Sequence, residues 1–505
     1  MLDTHMTPTD DNTADATALP TAPPAPPPPP VVGRYHARVT ALLANGEARA
    51  DLIATLASPT DDDFAAVYGP GWAQHAPPRA CQFIGGLLGE LVEVELRWRL
   101  PHGGRKRAKR TPAPTVRLVS VIEAAAERAT PGCPVFGECG GCQLQHMAYP
   151  AQLAWKSDRV RRALSDVGFA VVGTANDAGM VDVTVDANAA ANTASAPVAP
   201  ALGCEPPWGY RNHMRFSVNR EGQVGLTARH SHRVIPLRVC PIAHPRINDA
   251  LAILGEGPQP PPQALVRYGD ATGELLLQPA PGDALRERLT AAGFDLHDDA
   301  IEEALHGARF RIRPSSFFQT NTAQANRMAD LALAALPSGP DVTLVDAYCG
   351  VGTFARLLAA QAGRVLAIEE SASAIRDARW NLRDAPNVSI MQAKVEDALP
   401  GVTERLDGLI IDPPRAGCQR PVLDALIARR IPTVVYVSCD PDTLARDLAY
   451  LCLAHAAYRI RSVQPLDMFP QTAHIENVVT LEAVNVADAA VNPAEGAGDM
   501  VEASA

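Results

Sequence analysis

The sequence predicts a doubly wound α/β domain in its carboxyl-terminal part, preceded by a small β-barrel and an α+β middle domain that carries a cysteine cluster. Three observations predict it. From Asn321 onward, short apolar runs alternate with helical periodicity, the pattern of a parallel sheet covered on both faces. Three of those runs end in polar, turn-forming groups, so that chemistry collects at one sheet edge: Asp346-Ala347-Tyr348-Cys349-Gly350-Val351-Gly352, Asp412-Pro413-Pro414-Arg415 and Val437-Ser438-Cys439-Asp440-Pro441. Ahead of them, from Gly33 to about Val121, alternating stretches such as Leu91-Val92-Glu93-Val94-Glu95-Leu96, punctuated by glycine turns, read as a small barrel.

The 505 residues suffice for two or three domains with well-buried cores. The ten cysteines are unevenly spaced, and no apolar run reaches membrane-spanning length. The expectation is a soluble cytoplasmic protein with reduced thiols and no membrane partner. A formal net charge of −11 argues against a polyanionic partner, but the basic residues are concentrated. Residues 97–110 hold seven Lys or Arg and no acid, and residues 205–246 hold seven Arg against two Glu. Two such islands in an acidic chain suit a nucleic acid.

In order, residues 1–32 form a Pro-rich leader expected to be disordered, and residues 33–125 form the barrel, with 58–78 as an insertion loop. Residues 126–320 form the middle domain. It opens on Cys133-Pro134-Val135-Phe136-Gly137-Glu138-Cys139-Gly140-Gly141-Cys142, three thiols whose intervening glycines let the backbone turn all of them toward one point. A tetrahedral thiolate site needs a fourth ligand, and Cys204 and Cys240 are the next along; zinc and an iron–sulfur cluster both accept four cysteines. A helix is predicted from Ala151 to about Val167. The stretch 174–200 lacks periodicity and reads as a flexible insertion. Strand-like alternation follows from Trp208 to Leu237, where Arg211, Arg215 and Arg220 interleave with Met214, Phe216 and Val218, and continues to about Pro314. Residues 321–483 form the doubly wound domain, with strands predicted at Val342–Asp346, Arg364–Glu369, Val388–Gln392, Gly408–Asp412, Thr433–Ser438, Arg459–Leu466 and Asn477–Leu481; residues 484–505 are a small, acidic tail expected to be disordered.

Within this frame Cys439 ends a strand just before an Asp-Pro helix opening, where the helix dipole should lower a thiol pKa, as a nucleophile requires. Gly350 and Gly352 let backbone approach a ligand, and Glu369, ending the next strand, is placed to accept both hydroxyls of a ribose. The third glycine of a dinucleotide fingerprint is replaced by Ala355, and no Lys-Ser or Lys-Thr follows. An adenosyl ligand without phosphates fits, and S-adenosylmethionine is the obvious one.

Phe317-Phe318-Gln319-Thr320-Asn321, the three edge segments above and Asp467-Met468-Phe469-Pro470-Gln471-Thr472-Ala473-His474-Ile475-Glu476 together resemble the RNA uracil-C5 methyltransferases. The cysteine run and the amino-terminal barrel resemble the iron–sulfur, TRAM-domain branch, typified by 23S ribosomal RNA enzymes. The resemblance spans about residues 33–483. It implies a Rossmann-like methyltransferase domain that acts on structured RNA, ribosomal RNA ahead of the transfer RNA T-loop; a monomer is expected. It also implies Cys439 as the nucleophile that adds to uracil C6, and Glu476 as the base that removes the C5 proton. Gln319, Tyr348, Glu369 and Asp412 match residues lining the cofactor pocket, and Thr353 stands where relatives often carry Asn. Cys240-Pro241-Ile242 matches the distal cysteine better than Cys204 does, which implies Cys133, Cys139, Cys142 and Cys240 as ligands of a [4Fe–4S] cluster, with zinc as the alternative.

Asp440 departs from the family, which usually has Asn there, and a carboxylate beside the nucleophile should raise its pKa. A non-catalytic RNA clamp would not need Cys439, Glu476 and Glu369 as a set. A DNA cytosine-C5 enzyme shares the thiolate chemistry but usually presents its nucleophile as Pro-Cys, where this chain has Ser438-Cys439.

Overall fold

The computed structural model describes residues 31–68, 78–98, 114–173, 195–256 and 261–484. Strands β1 (Val31–Leu42), β2 (Ala48–Ala57), β3 (Ala80–Phe83), β4 (Leu91–Trp98) and β5 (Thr115–Glu123) form one curled antiparallel sheet in the order β3-β2-β1-β4-β5. Tyr35, Ala37, Val39, Val92, Val94 and Leu96 alternate inward along β1 and β4 and fill its core. Helix α1 (Asp61–Tyr68) falls inside the stretch expected to be an insertion loop. Its signal is a local one: Thr60 and Asp63 cap each other, with the Thr60 amide 2.6 Å from Asp63 Oδ2 and the Asp63 amide 3.3 Å from Thr60 Oγ1.

Helix α2 (Tyr149–Asp166) leads to β6 (Ala170–Gly173) and β7 (Ser195–Val198). Strand β7 corrects the extent of the flexible insertion, which was expected to run to residue 200; Ala196 and Val198 are fully buried, but two alternations are too few to read as a strand. The middle sheet has the order β10-β9-β8-β11-β12-β13, from β8 (His213–Val218), β9 (Val224–Thr227), β10 (Val234–Pro236), β11 (Gln263–Tyr268), β12 (Glu274–Gln278) and β13 (Asp295–His297), backed by α3 (Pro245–Gly255) and α4 (Asp283–Ala291). In β8 Met214 and Phe216 are buried and Arg215 is exposed, as the alternation predicts. A hairpin, β14 (Ile301–Leu305) and β15 (Ala308–Ile312), precedes α5 (Thr322–Ala335).

The carboxyl-terminal unit contains β16 (Gly339–Ala347), α6 (Thr353–Leu358), β17 (Ala362–Glu369), α7 (Ala372–Asn381), β18 (Val388–Gln392), α8 (Val395–Ala398), β19 (Gly408–Ile411), α9 (Arg420–Arg429), β20 (Thr433–Ser438), α10 (Pro441–Leu448), β21 (Tyr458–Leu466) and β22 (Glu476–Ala483). Its sheet has nine strands in the order β18-β17-β16-β19-β20-β22-β21-β7-β6. Strands β18 to β20 are parallel as expected, while β22 lies antiparallel between β20 and β21. Val434 and Tyr436 face one apolar layer and Val435 and Val437 the other, so the sheet is covered on both sides. Because β6 and β7 join this sheet and α2 packs against them, these three elements belong with the doubly wound unit. Residues 1–30 of the leader, the basic island after Trp98, residues 174–194 of the insertion and residues 485–505 of the tail lie outside the described residues, while Val31 and Val32, expected in the leader, begin β1.

The units meet at the loop between β21 and β22. The α2 residue Lys156 places Nζ 2.5 Å from Asp467 Oδ1, both side chains being fully buried, and 3.2 Å from the Phe469 carbonyl. Burial pushes the Lys156 pKa down and the Asp467 carboxylate holds it up. Gln152 and Gln471 bond reciprocally, Tyr149 Oη donates to Asp467 Oδ2 at 3.0 Å, and Arg159 donates to the Ala473 carbonyl at 2.8 Å. Asp467→Asn would strand a buried ammonium and should cost about 3–5 kcal/mol of stability, whereas Lys156→Met with Asp467→Leu should recover most of the loss. Urea midpoints compared at constant slope check this; equal stability of all three proteins would mean the pair carries no such constraint.

Candidate active site

Two backbone devices assemble the edge. First, Ser438 pairs with Asn477 across the antiparallel β20–β22 ladder, and Asn477 Nδ2 donates to the Ser438 carbonyl at 3.1 Å. The next residue of β20's exit, Cys439, and the preceding residue of β22, Glu476, are thereby set side by side. Second, the loop after β19 docks on α10: Thr443 Oγ1 donates to the Arg415 carbonyl at 3.1 Å, and the Cys418 amide donates to Asp447 Oδ2 at 2.8 Å. A Cβ on Gly417, at φ 77°, would come within 2.6 Å of that same Asp447 oxygen. This close approach brings Asp412 and Arg415 to the thiol.

Burial pushes the Cys439 thiol up to about 11, with Glu476 raising it further and Arg415 drawing it down. This corrects the expectation of a thiol lowered by the helix dipole. The Asp440 carboxylate caps α10, accepting from the Asp442 and Thr443 amides at 3.1 Å each. Glu476 is 7 % exposed; burial pushes its pKa well above the usual carboxylate range, Asp412 adds to the rise and Arg415 opposes it. Burial likewise lifts Asp412 to about 7. Arg415 Nη2 also donates to His474 Nδ1 at 2.6 Å, and burial together with Arg415 pushes His474 down to about 4, so His474 is a neutral acceptor.

The glycine turn follows β16. Tyr348 takes φ 65°, rare for a side-chain-bearing residue, and Gly350 and Gly352 take φ 55° and 83°. Glu369 Oε2 accepts from the Gly350 amide at 3.0 Å and Oε1 from the Ser371 amide at 2.7 Å, which locks the carboxylate against the turn. Asp346 accepts from the Ala355 amide at 2.7 Å; burial pushes it up to about 7, with Asp412 and Glu369 contributing. Thr353 is the first residue of α6. Gln319 lies between β15 and α5, lining a cavity of about 10 Å³ with Asn212, Arg267 and Phe318. Tyr348, Glu369 and Asp412 share the edge with Cys439 and Glu476. Sequence reasoning missed Asp346, Arg415 and His474 as site residues, although each lies inside a segment it singled out.

All four proposed ligand cysteines carry free thiols, and Cys139, Cys142 and Cys240 are buried. Among the described residues no group of three or more His, Cys, Asp or Glu side chains is arranged to hold a metal ion. The thiols nonetheless act on one another. Burial pushes Cys142 up to about 12, Gln145 offsets part of that, and Cys240, Cys139 and Cys133 add to the rise. Amides supply bonds to sulfur: Gly141 to Cys139 at 3.4 Å, and Ile242 and Ala243 to Cys240. Cys204 accepts from Asn321 Nδ2 at 3.5 Å, and none of the other three cysteines is among the groups that act on it. Four cysteines are a donor set that a soft metal or an iron–sulfur cluster takes.

A solved structure with the same overall fold is Pyrococcus abyssi tRNA (uracil-54, C5)-methyltransferase in complex with S-adenosyl-L-homocysteine, at TM-score 0.58 and 22 % identity over 88 % of this chain and 99 % of that one. That likeness shows a shared α/β fold. Residues 287–484 match the family model described as tRNA (Uracil-5-)-methyltransferase. An uncharacterized RNA methyltransferase of Thermosynechococcus vestitus is 33 % identical over 435 residues, 76 % of this chain and 90 % of the relative; one of Gloeobacter violaceus is 32 % identical over 467 residues, 82 % and 94 %. The chain belongs to this RNA methyltransferase family and is an S-adenosylmethionine-dependent RNA uracil methyltransferase.

Alkylation of Cys439 by iodoacetamide, followed by peptide mass spectrometry, should keep accelerating about tenfold per pH unit from neutrality toward pH 10. Glu476→Gln should speed the reaction at a given pH and Arg415→Ala should slow it. A plateau at or below pH 8 would show that the thiol is not held high.

Proposed function

We propose that the protein methylates C5 of a uridine in structured RNA, with 23S ribosomal RNA as the target, through a transient bond between Cys439 and uracil C6. The observation that carries this reading is the β20–β22 register, which sets a thiol and a buried carboxyl side by side. Uracil C5 is a poor nucleophile until a thiolate adds to C6 and pushes electron density to C5. S-adenosylmethionine supplies an electrophilic methyl group. Cys439 adds to the base, Arg415 favours the thiolate form, and C5 takes the methyl group. Glu476, once ionised, then removes the C5 proton so that the thiolate is expelled. Glu369 is the residue for the ribose hydroxyls, and Gln319, Tyr348, Thr353 and Asp412 line the rest of the cofactor pocket. Asp346 shapes the pocket from beneath through its bond to the Ala355 amide.

Cys133, Cys139, Cys142 and Cys240 hold a [4Fe–4S] cluster in this reading, and the curled sheet serves as a TRAM-like RNA-binding unit. The fusion of these parts to the catalytic domain favours ribosomal RNA by analogy of architecture. Loss of 5-methyluridine from 23S ribosomal RNA in a deletion strain is the expected outcome of RNA sequencing; loss from the transfer RNA T-loop would reassign the target.

Cys439→Ala should abolish methyl transfer while leaving cofactor affinity within a few-fold. Glu476→Gln should still add to C6 and accept the methyl group, then stall, because an amide cannot take the C5 proton. A protein–RNA species that survives denaturing electrophoresis and carries the methyl label should accumulate with Glu476→Gln and vanish when Cys439 is also changed to Ala. Normal turnover by Glu476→Gln would assign the base elsewhere.

Anaerobically purified protein should contain about four iron per chain. Cys240→Ser should lower that content and Cys204→Ser should not. Zinc with no visible absorption would replace the cluster by the alternative metal.

A further inference from the structure

Away from the thiol, the hairpin β14–β15 and helix α7 wall an open cleft of about 400 Å³ lined by Arg311, Arg313, Arg376, Arg379, Trp380 and Arg383. Arg376, Arg379 and Arg383 recur at helical spacing, so they share one exposed face of α7 and its last turn. Arg311 and Arg383 lie 4.9 and 4.5 Å from the Trp380 ring centroid, so the half-exposed indole carries two guanidiniums; Arg383 Nη1 also donates to the Trp380 carbonyl at 2.8 Å. The facing carboxylates are few. Asp299 meets Arg311 at 2.6 Å and Arg313 at 3.6 Å, buried Asp377 meets Arg313 at 3.2 Å, and Asp384 meets Arg383 at 3.5 Å. Arg376 and Arg379 make no ion pair among the described residues. In a chain of net charge −11, such a cleft selects for a polyanion.

The cleft is also tied to the site. Asn381 accepts from the Arg311 amide at 2.7 Å and donates to the Val351 carbonyl, in the glycine turn, at 2.9 Å. Asp377 accepts from Ser316 Oγ at 2.6 Å, and the next residue, Phe317, is 72 % exposed. One face of α7 is thus fixed both to the cofactor turn and to the loop that leads to Gln319.

We propose that this cleft grips the phosphodiester backbone of the substrate RNA beside the target uridine, with Arg376, Arg379 and Arg383 making the phosphate contacts and Trp380 setting the guanidinium planes. The proposal rests on the RNA-substrate reading. It adds a contact surface outside the catalytic edge that carries no base information.

The test is binding of a fluorescein-labelled stem-loop RNA with a uridine-containing loop, followed by anisotropy across a salt series. Replacing Arg376, Arg379 and Arg383 together by Ala should reduce the slope of log affinity against log salt by about two to three and weaken binding by on the order of tenfold or more at moderate salt. The RNA KM should rise with kcat nearly unchanged, and calorimetric affinity for S-adenosylhomocysteine should stay the same, which reports an intact fold. Replacement of the three by Lys should keep most of the slope, and Arg405→Ala, outside the cleft in the loop before β19, should keep all of it. An unchanged slope and KM in the triple Ala protein, with cofactor binding intact, would overturn the cleft as an RNA surface. Because the binding arm needs no turnover, a reduced slope in a protein that never methylates RNA would uphold the cleft and sink the methylation reading alone.

Discussion

A single buried ion pair, Lys156 with Asp467, holds the active edge in place. The loop from Asp467 to Ile475 carries a backbone whose amides and carbonyls are largely out of water, and a buried loop is stable only when its polar groups find partners. Here they come from helix α2, the cysteine loop, the middle unit and the start of α5. Helix α2 supplies Lys156, Gln152, Tyr149 and Arg159; the cysteine loop supplies the Gln143 and Leu144 amides, both 3.0 Å from the Gln471 carbonyl; Tyr210, Asn321 and Gln324 bond the Pro470, Met468 and Asp467 carbonyls. An ammonium and a carboxylate with no exposure cannot separate without leaving a charge in apolar surroundings, so the loop has one arrangement. Glu476 directly follows that loop. Its position relative to Cys439 is fixed from far away in sequence.

That dependence explains the insertion of β22 into the sheet. In a purely parallel sheet, strands end at the edge and the next one begins on the far side, so two strands could not bring the last residue of one and the first residue of the other together. The antiparallel β22 starts where β20 stops. Parallel order builds the cofactor turn at β16 and β17, and the one reversal adds the thiol–carboxyl pair beside it. The cysteine loop reaches the same segment: Gln143, next to Cys142, bonds the Gln471 carbonyl through its amide and the Ala473 amide through its side chain. Whatever orders the cysteine loop therefore also orders the route to Glu476.

Most of the doubly wound unit was legible in the sequence because its strands are apolar on both faces and end in glycine, proline or aspartate; Val388–Gln392 and Thr433–Ser438 fall on their observed limits. The direction of β22 was not, since periodicity carries burial and says nothing of polarity of pairing. Nor was β7, whose four residues offer two alternations, nor α1, which is announced only by the Thr60 and Asp63 cap. At the site, residue types and spacing located Cys439, Glu369 and Asp412, because each ends a strand. The electrostatics were misjudged. A helix dipole acting on Cys439 was read from position alone, whereas burial and the neighbouring carboxyl, which only the fold brings close, dominate. Asp440 has a second role that its place before Pro441 announces: it caps α10 through two helix amides.

The raised pKa values of Cys439 and Glu476 fit an ordered use of one site. A thiolate and a carboxylate side by side in a buried pocket repel, so the resting pair does not carry both charges, and Arg415 lowers the cost of carrying either. In the proposed mechanism, a neutral Glu476 would not compete for protons while the ionised sulfur attacks C6. Bonding to C6 would turn the sulfur into an uncharged thioether and remove its charge from beside Glu476. The ionised carboxylate would then become accessible at the stage where a base is needed to take the C5 proton. Proton loss would return electron density to C5 and the sulfur would leave as an anion. Burial, with the neighbouring carboxyl adding to it, holds the thiol up at rest, and on the proposed mechanism the same surroundings would delay the base until the methyl group has been accepted.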